Sequence, residues 1–240
     1  MVKFIKSILD FLYPPACPMC DTPVSSHGQL CPACWSQINW IGNPKCVKCG
    51  YPFSANLDLG NCPLCPVCAA GQCELDWIRC ACVYDDASRS AVLPFKHCGK
   101  IASANFMSRQ MLSALRDIDV KIDIVMPVPL ANRRLFRRGY NQATLLARPI
   151  ARAFGVRMEL DAVVRKYRPD MGHKNFRDRA KNIHGVFTVV APNKIHGQKI
   201  LLVDDVMTSG ATFSELRRML VQNGAAAVYG VTFCRVVRAI

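Results

Sequence analysis

The chain has 240 residues, 51% of them hydrophobic, and a formal net charge of +14. That is enough apolar material for one α/β core plus a smaller module, and no apolar run approaches the ~20 residues of a membrane span. The charge is uneven: residues 1–90 carry 6 Lys/Arg against 7 Asp/Glu, so the remainder holds +15, a field that favours polyanions such as nucleic acid or a pyrophosphate-bearing substrate.

Residues 1–16 read as an amphipathic helix covering the core, with Phe4, Ile8 and Phe11/Leu12 on one face. The segment is not read as a secretory signal. It lacks a small-x-small cleavage site, carries charge inside its apolar part and runs into cysteines just after Pro15. A cytoplasmic location is the expectation.

Of 14 cysteines, 12 fall within residues 17–82. In a reducing compartment, pairs at C-x-x-C spacing read as metal ligands rather than disulfides. The pairs are Cys17/Cys20, Cys31/Cys34 and Cys46/Cys49, followed by Cys62, Cys65 and Cys68. Two such knuckles complete a closed Cys₄ zinc site, so sequential pairing predicts a double zinc ribbon over 17–76 holding two structural Zn²⁺. The last knuckle has two registers, Cys62/Cys65 or Cys65/Cys68. His27, between two knuckles, is a minor alternative ligand. The ribbons have too little core to fold without metal. Cys73, Cys80, Cys82, Cys98 and Cys234 show no catalytic pattern, and Cys80 and Cys82 fall on one face of a strand over Trp77–Tyr84.

From about residue 77 to 240, strand and helix patterns alternate, which predicts an α/β domain with a mainly parallel sheet. Strands are expected at Ile122–Val128, Gly185–Val190, Lys199–Asp204 and Val228–Val236. Helices are expected near Ser88–His97, Ile101–Leu115, Asn141–Phe154 and Phe213–Asn223, the last closed by Gly224. Pro94 and Pro149 should kink or shorten their helices. The strand at Ile122–Val128 leads into an arginine-rich stretch containing Arg133, Arg134, Arg137 and Arg138. Ligands of open α/β sheets bind beyond the carboxyl ends of the strands, so this stretch can face the end of a neighbouring strand across one crevice. Residues 165–182 are polar, basic and weakly periodic, the character of a loop running into a short helix.

The most informative segment is Lys199–Thr212. An apolar run ends in Asp204 and Asp205, then a small, hydroxyl-rich loop, Thr208-Ser209-Gly210-Ala211-Thr212. Thr212-x-x-Glu215 has the form of a capping box, so a helix should begin there. Carboxylates can accept hydrogen bonds from ribose hydroxyls, while loop amides and a helix N-terminus can hold a phosphate. A buried strand followed by a polar turn is the blander reading, and a receiver-type acidic pair binding Mg²⁺ is another. Neither explains the loop. No Walker-type loop and no Ser-His-Asp or Cys-His arrangement is present, which argues against ATP hydrolysis and triad chemistry.

Residues 199–215 resemble the phosphoribosyl-pyrophosphate (PRPP) motif of type I phosphoribosyltransferases. They are most similar to the version in the competence protein F (ComF) family, roughly VLLVDDVxTTGAT, with Ser209 where Thr is usual. The family pattern PVPLxxxRxxxRGxNQ matches at Arg134, Arg138, Gly139, Asn141 and Gln142. Its RxxN before a GxF strand matches Arg179, Asn182 and Gly185-Val186-Phe187. The family usually has Gln where this chain has Met171, and the approach to that loop is one residue shorter. The resemblance implies an α/β, type I phosphoribosyltransferase-like, mainly parallel sheet with a small N-terminal zinc-ribbon module, and Cys65/Cys68 as the last knuckle. It implies that Asp204 and Asp205 contact the ribose hydroxyls and are the catalytic acids, and that Thr208 to Thr212 cradle the 5′-phosphate. Arg134 and Arg138 would contact pyrophosphate, with Arg138 alternatively a helix anchor, and Mg²⁺ would come with PRPP. The implied role is linked to DNA uptake or the use of incoming DNA. A non-catalytic PRPP sensor, a single-stranded DNA-binding module and a nucleobase salvage transferase are the alternatives.

Overall fold

The computed structural model describes residues 14–54, 60, 63–71, 73, 75–97, 103–166 and 184–237. The expected N-terminal helix, most of the basic stretch with Met171, Arg179 and Asn182, and Cys62 and Cys98 lie outside these residues.

The cysteine-rich region is one small unit used twice. Residues 14–24 form a tight hairpin in which Cys17 N–H donates to Thr22 and Asp21 N–H returns to Cys17. Residues 44–53 repeat it, with Cys46 N–H donating to Tyr51 and Gly50 N–H returning to Cys46. Each hairpin is followed by a short helix, α1 (Pro32–Gln37) or α2 (Pro66–Ala69). Both helices open on Cys-Pro, where the missing proline N–H costs nothing and its fixed φ suits the first turn.

A five-stranded sheet follows, ordered β1 (Ile78–Val83), β7 (Ala227–Arg235), β6 (Lys199–Met207), β2 (Ile124–Pro127), β3 (Arg157–Met158), with every pairing parallel. Parallel strands are covered on both faces and so carry near-continuous apolar runs. In β6, Ile200, Leu201, Leu202 and Val203 are all fully buried. Leu201 and Val203 join one core with α4 (Ser103–Ala114) and α6 (Gln142–Phe154), through Met107, Met111, Leu146 and Ile150. Ile200 and Leu202 join a second core with α7 (Ala211–Gln222), through Phe213, Leu216 and Leu220. The second core also contains Cys46, Cys49, Cys65 and Cys68. At Gly230 an added Cβ would lie 2.9 Å from both Ile78 and Phe213, so only glycine lets β1 and α7 close over β7 there. The outer edge of β1 is covered by the chain at 39–41, where Ile41 N–H donates to Ala81 and Val83 N–H to Asn39, removing a free strand edge.

Several expectations change in detail. The strand expected at Gly185–Val190 is β5 (Phe187–Val189). It pairs antiparallel with β4 (Val163–Arg165) in a separate two-stranded ribbon rather than in the main sheet. An additional helix, α5 (Asn132–Arg138), follows β2. Neither α3 (Asp86–His97) nor α6 is shortened at its proline. The capping box expected at Thr212/Glu215 does not form. α7 begins at Ala211 after Gly210, which takes a left-handed φ of 77° and has no side-chain cap. A reciprocal cap instead opens α3, where Ser88 N–H donates to Asp85 Oδ1 and Asp85 N–H to Ser88 Oγ, each at 2.9 Å.

Candidate functional site

The carboxyl end of β6 carries the acidic pair. β2 lies beside it in register, Pro127 opposite Val203. The chain leaving β2 toward α5 therefore starts next to the chain leaving β6 toward α7. The two segments that sequence singled out meet at one edge of the sheet.

The junction between α5 and α6 is held by residues that fold back. Asn141 caps α6 by accepting from Ala143 N–H and donates its amide to the Val128 carbonyl at the end of β2. Tyr140 Oη donates to the Phe95 carbonyl at 2.6 Å, and Gln142 Nε2 to the Lys96 carbonyl at 3.4 Å. These bonds draw the end of α3 over the crevice. Lys96 Nζ consequently lies 3.0 Å from Asp205 Oδ1.

Asp205 is buried at 6% exposure, and its backbone N–H donates to Asp204 Oδ1 at 2.8 Å. Removal from water and then the neighbouring Asp205 charge push the Asp204 carboxyl up to about 7, against the opposing pull of Lys96 and Arg165. Two adjacent acids at the strand end are thus countered by cations from α3 and β4. Arg165 opens the basic stretch at 165–182, whereas Lys96 was not singled out from sequence. Lys96 lies more than a hundred residues from its partner, and no local spacing signals that meeting.

Behind the acids, Thr208, Ser209 and Gly210 lead into α7, and Ser209 Oγ accepts from Ala211 N–H at 3.3 Å. The N-terminus of a twelve-residue helix thus opens directly on this loop, with Ala211 and Thr212 in its first turn. Glu215 serves the site from below. Burial opposes its ionisation, but Arg218 and the Gly185 N–H outweigh it and hold the carboxyl below the usual range. Glu215 Oε1 accepts from Gly185 N–H at 2.7 Å, which anchors the start of β5 to α7.

The predicted arginines divide. Arg134 lies on α5 at the same sheet edge. Arg138 is half-buried and donates to Gln142 Oε1 at 3.2 Å, so its guanidinium secures the α5–α6 junction, while its Nε has no hydrogen-bond partner. Phe136 on the same helix is 94% exposed.

Eight of the cysteines gather in two clusters. Cys17, Cys20, Cys31 and Cys34 form one, Cys46, Cys49, Cys65 and Cys68 the other, and within each the four sulfurs lie within 4.8 Å of one another. Four thiol donors at that spacing fit a tetrahedral structural Zn²⁺. No histidine joins either cluster among the described residues. Cys80, Cys82 and Cys234 are buried in the sheet, Cys80 accepting from Thr232 and Cys82 against Cys234 at 3.3 Å. Among the described residues no helix is long and apolar enough to cross a membrane.

A parallel sheet with an acidic strand end, a hydroxyl-rich loop at a helix N-terminus and two Cys₄ clusters upstream defines a zinc-ribbon protein with a phosphoribosyltransferase-type domain. Comparison with known proteins agrees. Residues 8–69 match the double zinc ribbon domain family and residues 141–238 the phosphoribosyl transferase domain family. DNA utilization protein YhgH of Escherichia coli strain K12 is 31% identical over 232 residues, covering 92% of this chain and 97% of that protein. Competence protein F of Haemophilus influenzae is 27% identical, covering 83% of this chain and 87% of that protein. Competence protein ComFC of Bacillus subtilis is 26% identical, covering 83% and 80% respectively. The chain belongs to the competence protein F family. Among solved structures, the glutamine PRPP amidotransferase of B. subtilis matches with a TM-score of 0.39 and 18% identity, over 58% of this chain and 30% of that one.

Proposed function

We propose that the protein binds PRPP with Mg²⁺ at the carboxyl end of β6 and transfers its phosphoribosyl group to a nitrogen acceptor, in a role connected with the use of DNA. The observation that carries this reading is the Asp204–Asp205 pair, set between the Lys96 cation and a hydroxyl-rich loop at a helix N-terminus. Asp204 and Asp205 would accept hydrogen bonds from the ribose hydroxyls. Thr208, Ser209, Gly210, Ala211 and Thr212 would hold the 5′-phosphate with amides, hydroxyls and the helix dipole. Arg134, and secondarily Arg138, would face the pyrophosphate. In the reaction the bond from C1 to the pyrophosphate oxygen breaks, pyrophosphate leaves with the electron pair, and the acceptor nitrogen bonds to C1. Positioning and leaving-group stabilisation suffice for this chemistry. Mg²⁺ would neutralise pyrophosphate charge, and the carboxylate oxygens of Asp204 and Asp205 are the hard donors it takes. The names of the curated relatives, DNA utilization protein and competence protein, support the DNA connection.

Calorimetry with Mg²⁺ and PRPP tests the binding. The wild type should bind, and Asp205→Asn should bind at least tenfold more weakly through loss of a charge-assisted hydrogen bond worth ~1.5–3 kcal/mol. Equal binding by both proteins would overturn the reading. Pyrophosphate release with candidate acceptors then separates transferase from sensor. A single-stranded DNA-binding module is the second reading, favoured by the 94%-exposed Phe136 on the arginine-bearing helix α5. An exposed aromatic among cations is what base stacking on a basic surface uses. Its signature is DNA affinity that falls steeply with salt and is indifferent to PRPP.

A further inference from the structure

The two cysteine clusters have the same donors but not the same access. In each, one pair of sulfurs lies 3.5 Å apart, Cys20 with Cys31 and Cys49 with Cys65. In the first cluster Cys17, Cys31 and Cys34 are buried, whereas Cys20 is exposed. Cys20, Cys31 and Cys34 line a recess of about 590 Å³. Its other walls include Met19, Thr22 and Gln37 of the ribbon and Ser90 of α3. Among the described residues that line it, none but the cysteines is ionisable. A small neutral molecule can therefore reach these sulfurs without crossing a field of fixed charge.

The second cluster is better guarded. Cys46, Cys49, Cys65 and Cys68 are all buried. The cavity beside them measures about 190 Å³ and is walled by apolar Val67, Leu75 and Ile78. Arg235, the last residue of β7, is itself buried and donates through Nη1 to the Cys49 carbonyl at 2.6 Å and to Cys49 Sγ at 3.5 Å. A charged donor on a thiolate occupies the lone pair that an electrophile would need. Thiolate character and exposure decide which cysteine of a protein is oxidised. A metal-bound thiol is deprotonated in both ribbons, so exposure is what separates them.

We propose that Cys20 is an oxidative modification site: a peroxide entering this recess converts Cys20 and Cys31 to a disulfide while the second ribbon stays intact. The Cys20 thiolate attacks one peroxide oxygen. The S–O bond forms, the O–O bond breaks and hydroxide leaves, giving a sulfenic acid. Thr22 Oγ1, 3.1 Å from Cys20 Sγ, is placed to hydrogen-bond the peroxide. The Cys31 thiolate then attacks Cys20 Sγ, the S–S bond forms, the S–O bond breaks and a second hydroxide leaves. The two sulfurs lose two electrons, the peroxide gains them, and each hydroxide takes a proton from solvent. The sulfurs need only close from 3.5 Å to ~2.05 Å. Cys17 and Cys34 then remain, two donors where a structural zinc site takes four. The first ribbon thus gives up its metal on oxidation and can regain it on reduction. The central domain keeps its fold, because the first cluster has a small core of its own. None of this depends on the PRPP reading.

The test treats the zinc-loaded full chain with hydrogen peroxide. A chromogenic chelator reads released zinc, and mass spectrometry reads which cysteines are linked. One zinc ion per chain should be released at least tenfold faster than the other, in step with a peptide cross-linked through Cys20 and Cys31. Dithiothreitol and added zinc should restore two ions. The main thermal transition should move by no more than a few degrees. Cys20→His keeps four donors but removes the exposed thiolate. It should hold two zinc ions and slow the faster release at least tenfold. Should Cys20→His hold only one ion, pulse alkylation of the wild type decides the matter. N-ethylmaleimide should then label Cys20 at least tenfold faster than Cys46, Cys49, Cys65 or Cys68. No release, release of both ions at one rate, or release with Cys20 unmodified would overturn the proposal. So would wild-type release from a two-zinc Cys20→His chain, or equal labelling of the two clusters.

Discussion

The two cysteine clusters have the same ligand set and the same hairpin-plus-helix frame, yet they are attached to the molecule differently. Cys17, Cys31 and Cys34 form a small core of their own with Met19, Val24 and Leu30 around it, and Cys20 is exposed. All four cysteines of the second cluster are buried, within the same core as β6 and α7. Its hairpin is bonded to the sheet residue by residue. Arg79 Nη1 donates to the Val47 carbonyl at 2.9 Å, Ile78 N–H to Lys48 at 2.8 Å and Arg235 to Cys49 at 2.6 Å. The repeated unit thus keeps a small core of its own at one copy, touching the main core through Met19 and Leu30, and is part of the central core at the other. The spacing of ligands sets the metal site; what surrounds it sets whether the metal matters to the rest of the fold.

The largest expected effect separates the two copies. Cys17→Ser and Cys46→Ser should each reduce zinc from two ions to one per chain. Cys46→Ser should also destabilise the central domain by about 3–5 kcal/mol, as when one partner is removed from a buried charged cluster. For a domain of this size that is a fall in Tm of roughly 10 °C. Cys17→Ser should leave the main transition within a few degrees of wild type. Equal falls in Tm would erase the distinction between the ribbons.

Arg79 probes the weld itself. It is 7% exposed and donates to Val47, Ile78 and Asp117. Arg79→Met should cost about 2–3 kcal/mol, because it removes charged hydrogen bonds and leaves buried carbonyls unpaired. Denaturant unfolding measures that cost, and a change under 0.5 kcal/mol would show that the ribbon is held by packing alone.

Asp117 sharpens the point with a smaller effect. Burial opposes its ionisation, but Lys45 from the second ribbon and Arg79 from β1 outweigh it and lower its proton affinity. A carboxyl so lowered adds stability above its ordinary value of 3.8, and the contribution is lost as pH falls through its folded value. With a side chain 41% exposed, the pair is partly screened, so Asp117→Asn should cost no more than about 1 kcal/mol at neutral pH. The difference from wild type should close in acid. A difference that persists there would assign the effect to packing.

The last predicted change concerns ligand binding rather than stability. With the Asp204 carboxyl raised to about 7, ionisation for PRPP and Mg²⁺ comes late. Affinity should rise up to ~10-fold per pH unit below 7 and level above it. Lys96→Met removes a cation that favours the ionised form and should move the midpoint upward. Cys17→Ser should leave the midpoint where it is, if the first ribbon is independent of the site. Calorimetry across pH 5.5–8.5 follows all three proteins.

Much of this organisation is legible in the chain because its signals are local. A C-x-x-C turn brings two thiols together by itself, and an apolar run ending in Asp204-Asp205 and a small-residue loop marks a strand end wherever the strand lies. The antiparallel β4–β5 ribbon was not legible, since two three-residue strands leave too short a pattern to distinguish from sheet strands. The Thr212/Glu215 pattern misled for a different reason. Gly210 starts the helix two residues earlier than the motif implies, and Glu215 instead accepts from Gly185, thirty residues away.

What the sequence determined alone was the set of chemical groups and their short-range geometry: successive C-x-x-C knuckles with the register of the last one open, an acidic pair, a hydroxyl-rich loop and alternating strands and helices. The tertiary structure decided which of these groups meet. It placed Lys96 against Asp205, made Glu215 a strut, and brought Arg235 from the last strand onto Cys49 of the second ribbon. Residues within one turn are positioned by backbone dihedrals that local sequence sets. Residues more than a hundred positions apart are positioned by how helices and strands cross, and that depends on packing the whole core.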